Sequence, residues 1–229
     1  QNRVGPRRAV ANGLISTRAM KIAIIIVIAV ACFAGWNLGI RHPVLFMPAT
    51  LALILAMAYT LGPLPLAYHG LGDIFVVACF GLQATVLTVY ALYLEVGKSF
   101  VCEMPWTPAV IAGIGVGLFA NNILIANNTR DRETDAVSSK KTLVVRWGRT
   151  FAKIHYSFNL AMGTLCLSYV FGSLPLAILP LALWQIIAFW KAQSAHEFIP
   201  FLSRAALLML LTALLCVTAT CLGWIPVKV

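Results

Sequence analysis

Six uncharged stretches, each as long as a bilayer crossing or longer, constrain this chain more than any other feature. They run over Ile22–Ile40, Pro43–Leu61, Ile74–Leu94, Pro108–Ala126, Ile154–Trp190 and Ala205–Val227. A helix that spans the hydrocarbon core needs about 20 apolar residues. The fifth stretch is too long for one span and carries a break at Gly172-Ser173-Leu174-Pro175. The pattern therefore predicts seven helices in an all-α integral membrane bundle, with no soluble domain. Composition agrees: 10% of residues are charged, against about 25% in soluble domains.

The net charge of +10 would suit a nucleic-acid partner, but the placement of the charges argues otherwise. With the N-terminal segment in the cytosol, the inside segments are 1–21, 62–73, 127–153 and 191–204. They hold fourteen of the seventeen Lys and Arg residues. Only Arg41, Lys98 and Lys228 fall outside. Such a bias sets membrane orientation, so the excess charge is mostly topological. A second role in attracting a diphosphate or anionic headgroups is compatible with it. Five of the six cysteines fall inside spans, without CxxC spacing. They read as small apolar helix residues.

The chemistry concentrates in Asn127-Asn128-Thr129-Arg130-Asp131-Arg132-Glu133-Thr134-Asp135, directly after an apolar span and just before Lys140-Lys141-Thr142. This stretch holds three of the chain's seven acidic residues. Asn127, Asp131 and Asp135 are spaced i, i+4, i+8, which on one helix keeps them on one face. Three oxygen donors at a water boundary suit a hard divalent cation. Magnesium prefers one or two carboxylates plus substrate phosphates. Asp131 and Asp135 are the candidate catalytic and metal-ligating carboxylates, with Asn127 as a third ligand. Lys140, Lys141 and Arg130 are the candidate diphosphate-binding residues. Spacing alone leaves open a solvated helix end that pairs with Arg130 and Arg132. A secondary transporter is the competing class. Transporters carry ionisable groups near the midplane, and these spans hold essentially none.

Four segments resemble the UbiA superfamily of intramembrane aromatic prenyltransferases, and within it the MenA branch of 1,4-dihydroxy-2-naphthoate polyprenyltransferases. The first is Arg3-Val4-Gly5-Pro6-Arg7-Arg8 with Gly13-Leu14-Ile15-Ser16. The second is Pro65-Leu66-Ala67-Tyr68 with Gly70-Leu71-Gly72-Asp73, and Phe80-Gly81 follows it. The last is Asn127 to Asp135 with Lys141-Thr142-Leu143-Val144-Val145-Arg146-Trp147-Gly148. It resembles the family's second aspartate motif and is the most specific of the four.

The resemblance implies a nine-helix fold in which two aspartate motifs face each other across a cavity and bind Mg2+ and a diphosphate. The first motif has no counterpart here. The expectation is thus one transmembrane domain over 1–229 that lacks its first two helices and first aspartate motif, with further sequence upstream of Gln1. Ser138-Ser139 stand where the family has glycine before its lysine. The implied activity transfers a polyprenyl group from polyprenyl diphosphate to 1,4-dihydroxy-2-naphthoate with decarboxylation, giving demethylmenaquinol. Another aromatic acceptor, such as 4-hydroxybenzoate, a chlorin or haem, is the alternative. The implied setting is the bacterial cytoplasmic membrane, multi-pass, with the active site facing the cytosol and no nucleic-acid partner. Candidate substrate contacts are Arg3, Arg7, Tyr68, Asp73 and Arg146, with Arg8 a further cation for the ring carboxylate.

Overall fold

Inside a bilayer the backbone has no water to bond, so an apolar segment satisfies its own N–H and C=O groups by becoming a helix. The computed structural model describes residues 9–60, 66–97 and 104–223, and its regular elements are all helical. Helix α1 covers Thr17–Arg41 and α2 covers Phe46–Thr60. Next come α3 (Gly72–Val76) and α4 (Ala84–Glu95), which a π-helical segment, Val77–Gln83, joins into one span. Then follow α5 (Trp106–Arg130), the short α6 (Arg132–Val137), α7 (Leu143–Phe171), α8 (Leu179–Lys191) and α9 (Ile199–Cys221).

Among the described residues, five helices are long and apolar enough to cross a membrane. The other two expected spans depart for different reasons. The apolar stretch Pro43–Tyr59 is shorter than a full crossing. Helix α7 is long enough, but it starts at Leu143 rather than Ile154, with Arg146, Arg149 and Lys153 in its first half, and the polar residues His155, Ser157, Asn159 and Thr164 dilute the apolar second half. Its N-terminus is set by Thr142, whose side chain accepts from the Val145 N–H at 3.2 Å. Helix α1 likewise begins before its apolar run, because Ser16 caps the Ala19 N–H at 3.1 Å. Gly148 interrupts α7 with φ 83° and ψ 179°, a conformation essentially confined to glycine.

The bundle has two chemically different ends. At one, Arg41 Nη1 lies 2.6 Å from Glu95, which joins the C-termini of α1 and α4. At the other lie the turn Leu66–Tyr68, the start of α3, the end of α5 and the start of α7. There Lys153 Nζ donates to the Trp190 carbonyl at 2.7 Å, tying α7 to the C-terminus of α8.

Helix α5 is the hub: 56% of its spanning window is buried, against 6% for α1. Three of its glycines make this possible: Gly113 and Gly117 face the π segment, and Gly115 faces Leu167 of α7. A Cβ added at Gly81 of the π segment would lie 2.5 Å from the Gly117 Cα and would also strike the Gly113 carbonyl. Close backbone approach between small residues is the usual way membrane helices pack. On the opposite side, Phe119, Leu160 and Leu208 are almost fully buried where α5, α7 and α9 meet. Tyr156 stacks on Phe189 with ring centroids 4.2 Å apart, and the buried Gln185 amide donates to its hydroxyl.

Candidate active site

The helix that carries the acidic motif ends inside it. Helix α5 stops at Arg130, and Asp131 caps both it and α6, with φ −90° and ψ 7°. The expectation of one continuous helical stripe is corrected to two helices that share a residue. Their register survives the break. Asp131 N donates to the Asn127 carbonyl at 3.0 Å and Asp135 N to the Asp131 carbonyl at 2.8 Å, so the i, i+4 bonds run through.

Asp131 does not face open water, as a helix mouth would suggest. It is 6% exposed and Arg130 is 3% exposed. Arg130 Nε donates to Asp131 Oδ1 at 2.8 Å and Nη2 to Oδ2 at 2.7 Å. The same Nη2 donates to the Asn127 Oδ1 at 2.7 Å. This fork fixes the carboxylate plane and makes Arg130 an orienting group for Asn127 and Asp131. Asp135 pairs with Lys140 at 3.0 Å. Of the two lysines, Lys140 is thus the one beside the carboxylates. The Lys141 side chain is exposed, and its backbone N–H donates to the Tyr68 carbonyl at 2.9 Å.

The turn before Lys140 closes with Ser139 at φ 58°. That is left-handed space, where glycine sits at no cost and serine is strained. The two-serine departure from the family's glycine is therefore absorbed by backbone conformation, and Lys140 N still reaches the Asp135 carbonyl at 2.9 Å.

Arg146 is engaged in holding two loops together. Its Nε donates to the Lys141 carbonyl at 3.1 Å and its Nη2 to the His69 carbonyl at 2.9 Å. Tyr68 is well exposed on the loop so held. Arg3, Arg7 and Arg8 lie outside the described residues.

Tyr59, Asp73, Asn128, Lys140 and Thr142 line a narrow polar crevice. Asp73 also lines a cavity of about 400 Å³ that contains Asn121 and His155. Asn121, Asn122 and Asn128 are all buried, and neither they nor His155 are among the site residues expected from the sequence. The available signal was an Asn-Asn pair inside an otherwise apolar span. A strongly polar group at that depth needs a partner or a task.

Among the described residues, no three His, Cys, Asp or Glu side chains cluster as a protein-only metal cage. A magnesium site does not need one, since the ion keeps positions for phosphate and water. Arg130 uses one lone-pair site on each Asp131 oxygen, and each oxygen retains another. Asn127, Asp131 and Asp135 thus supply hard oxygen donors that fit part of such a shell.

The profile of the UbiA prenyltransferase family matches residues 1–199. The chain belongs to the UbiA prenyltransferase family. It is similar to three bacterial proteins named 1,4-dihydroxy-2-naphthoate octaprenyltransferase. That of Haemophilus influenzae is 30% identical, over 94% of this chain and 72% of the relative. Those of Escherichia coli and Mycobacterium tuberculosis are 31% and 30% identical, over 93% and 97% of this chain and 71% and 75% of theirs. No solved structure matches. Membership makes this UbiA chain a prenyltransferase, and its helices suit a multi-pass membrane protein.

Proposed function

We propose that the protein transfers a polyprenyl group from a polyprenyl diphosphate to 1,4-dihydroxy-2-naphthoate, with loss of carbon dioxide, in menaquinone biosynthesis. One observation carries the reading: Asn127, Arg130, Asp131, Asp135 and Lys140 gather at one end of the bundle, and Lys140 lines a polar crevice that reaches Asp73. The named relatives support the acceptor.

Asn127, Asp131 and Asp135 would hold Mg2+, which when bound neutralises charge on the leaving diphosphate. Arg130 keeps the Asn127 and Asp131 oxygens in place. Lys140, beside Asp135, moves its ammonium onto the diphosphate as that group enters, giving a fixed cation where negative charge builds. The surrounding helices exclude water from the allylic carbon. The basic end faces the cytosol, so the polar heads of both substrates enter from there and the polyprenyl tail lies among the helices.

The test uses the complete protein in nanodiscs with 1,4-dihydroxy-2-naphthoate, a long-chain polyprenyl diphosphate and magnesium, and follows the prenylated quinol by mass. Product that disappears on chelation and in Asp135→Asn is the expected result. Turnover only with 4-hydroxybenzoate or a tetrapyrrole would replace the acceptor. Passage of an unmodified substrate across the membrane, without diphosphate release, would overturn the enzyme reading.

A further inference from the structure

The cavity of about 400 Å³ between the α3–α4 span, α5 and α7 has one polar wall and several apolar ones. Its volume falls in the range of small-molecule sites, about 300 to 1,000 Å³. Val77, Leu118 and Phe151 supply apolar surface. The polar wall is Asp73, Asn121 and His155. The Asp73 carboxylate is buried, with a side chain 7% exposed, and the Asn121 amide donates to it. His155 Nδ1 stands 3.8 Å from Asp73 Oδ1. That separation is within ion-pair range and longer than a hydrogen bond, as resting catalytic contacts often are before substrate tightens them. Asn121 is 1% exposed, and its Oδ1 has no hydrogen-bond partner.

Position adds a second argument. Asp73 lines both this cavity and the crevice that holds Lys140 and Asn128. A molecule in the cavity therefore adjoins the diphosphate end without occupying it. A flat ring with a hydroxyl group matches this wall: His155 is an acceptor for the hydroxyl proton, with Asp73 behind the imidazole, and Val77, Leu118 and Phe151 offer apolar faces to the ring carbons.

We propose that this cavity is the subsite of the aromatic acceptor, and that His155, paired with Asp73, receives the acceptor's hydroxyl proton during prenyl transfer. The inference rests on the aromatic prenyl transfer proposed above. As the ring carbon that bears the carboxylate bonds to the prenyl carbon, the hydroxyl proton passes to His155 and that hydroxyl becomes a ring carbonyl. The prenyl carbon–oxygen bond breaks, and its electron pair leaves with the diphosphate. Carbon dioxide then departs, the pair it leaves behind restores the aromatic ring, and the carbonyl oxygen takes the proton back from His155. Asp73 acts as a positioning residue that stabilises the imidazolium between the two transfers.

Two measurements test this. In the first, 1,4-dihydroxy-2-naphthoate is titrated onto the protein in nanodiscs without magnesium or prenyl diphosphate. Leu118→Trp, which projects an indole into the cavity, should weaken saturable binding at least tenfold. Unchanged binding would put the acceptor elsewhere and overturn the subsite. In the second, His155→Gln keeps a hydrogen-bonding side chain of similar size but cannot take a proton. Its kcat should fall about 100-fold, with the acceptor KM close to the parent's. The deficit should shrink with acceptors whose hydroxyl is acidified by an electron-withdrawing substituent, since these ionise with less help. A deficit of the same size for every acceptor would overturn the proton role. Should Leu118→Trp fail to fold, His155→Gln carries the test, because it leaves the apolar walls intact. Turnover of a different phenolic acceptor by the parent would revise the proposed substrate and leave this inference standing. A parent that prenylates no aromatic acceptor would overturn both.

Discussion

At the scale of single residues, the two motif aspartates differ in surroundings although they share a spacing. Asp131 is buried against a buried Arg130. Removing one partner of such a pair strands the other charge and typically costs about 3–5 kcal/mol. Asp135 and Lys140 keep side-chain exposures of 13% and 20%, against 8% and 2% for Asp131 and Arg130, so water can partly replace the lost partner and the cost of breaking the pair is smaller. Asp131→Asn should therefore lose turnover and also lower the melting temperature in detergent. Asp135→Asn should lose turnover while melting near the parent. Parent-like melting of Asp131→Asn would show that the Arg130 pair is solvated. Near-normal turnover in either variant would remove that residue from the metal set. Ser139 offers a gain. Its left-handed backbone, φ 58°, costs roughly 1–2 kcal/mol for an L-residue. Ser139→Gly relieves that strain, while glycine loses more freedom on folding. The net expectation is a small rise in melting temperature with the Lys140 contact kept, and Ser139→Val should lower it. A fall for the glycine variant would mean that the serine side chain holds the turn.

At the scale of elements, the sequence pattern indicated where helices lie better than where they end. The uncharged runs located α1, α2, the α3–α4 span, α5, α8 and α9, because charge cannot sit in hydrocarbon cheaply. They misplaced the start of α7, since Thr142 caps a helix that continues through charged residues by burying Lys153 against the Trp190 carbonyl. The motif's residues were legible by spacing. Their burial was not, because it depends on where Arg130 folds back. Asp73, Asn121 and His155 lie on three different helices, and no local pattern brings them together. Gly113 and Gly117 of α5 pack against Gly81 of the π segment, and Gly115 packs against Leu167 of α7. Gly81→Ala would drive a methyl into the backbone at Gly117 and Gly113, where no rotamer change gives relief. Overpacking of this kind costs about 1–3 kcal/mol. Thermal unfolding should show a clear loss for Gly81→Ala. Gly35→Ala, where nothing lies within 4 Å, should melt like the parent. Equal melting of the two would mean that the π segment shifts to accommodate the methyl.

At the scale of the whole molecule, the two ends of the bundle carry opposite duties. Arg130, Arg132, Lys140, Arg146, Arg149 and Lys153 sit where the motif and the polar crevice lie. At the far end Arg41 is paired with Glu95, so its charge is largely compensated locally. Each basic residue near an anionic leaflet contributes about 1 kcal/mol of attraction, and an excess of Lys and Arg retains a loop in the cytosol. Both effects point the same end inward, where a soluble diphosphate head would arrive. Ser138, just after α6, and Ser173, between α7 and α8, are exposed at opposite ends. In a variant without native cysteines, Ser173→Cys should react with a membrane-impermeant maleimide in intact cells. Ser138→Cys should react only after permeabilisation. The reverse pattern would invert the bundle and place the aspartates outside, away from cytosolic substrates. Labelling of both positions in intact cells would mean that α7 does not cross the bilayer, despite a length of 29 residues and a rise of about 1.5 Å per residue. Only the first pattern lets the carboxylates, the crevice and the proposed acceptor cavity be reached from the cytosol, while the tail stays in lipid.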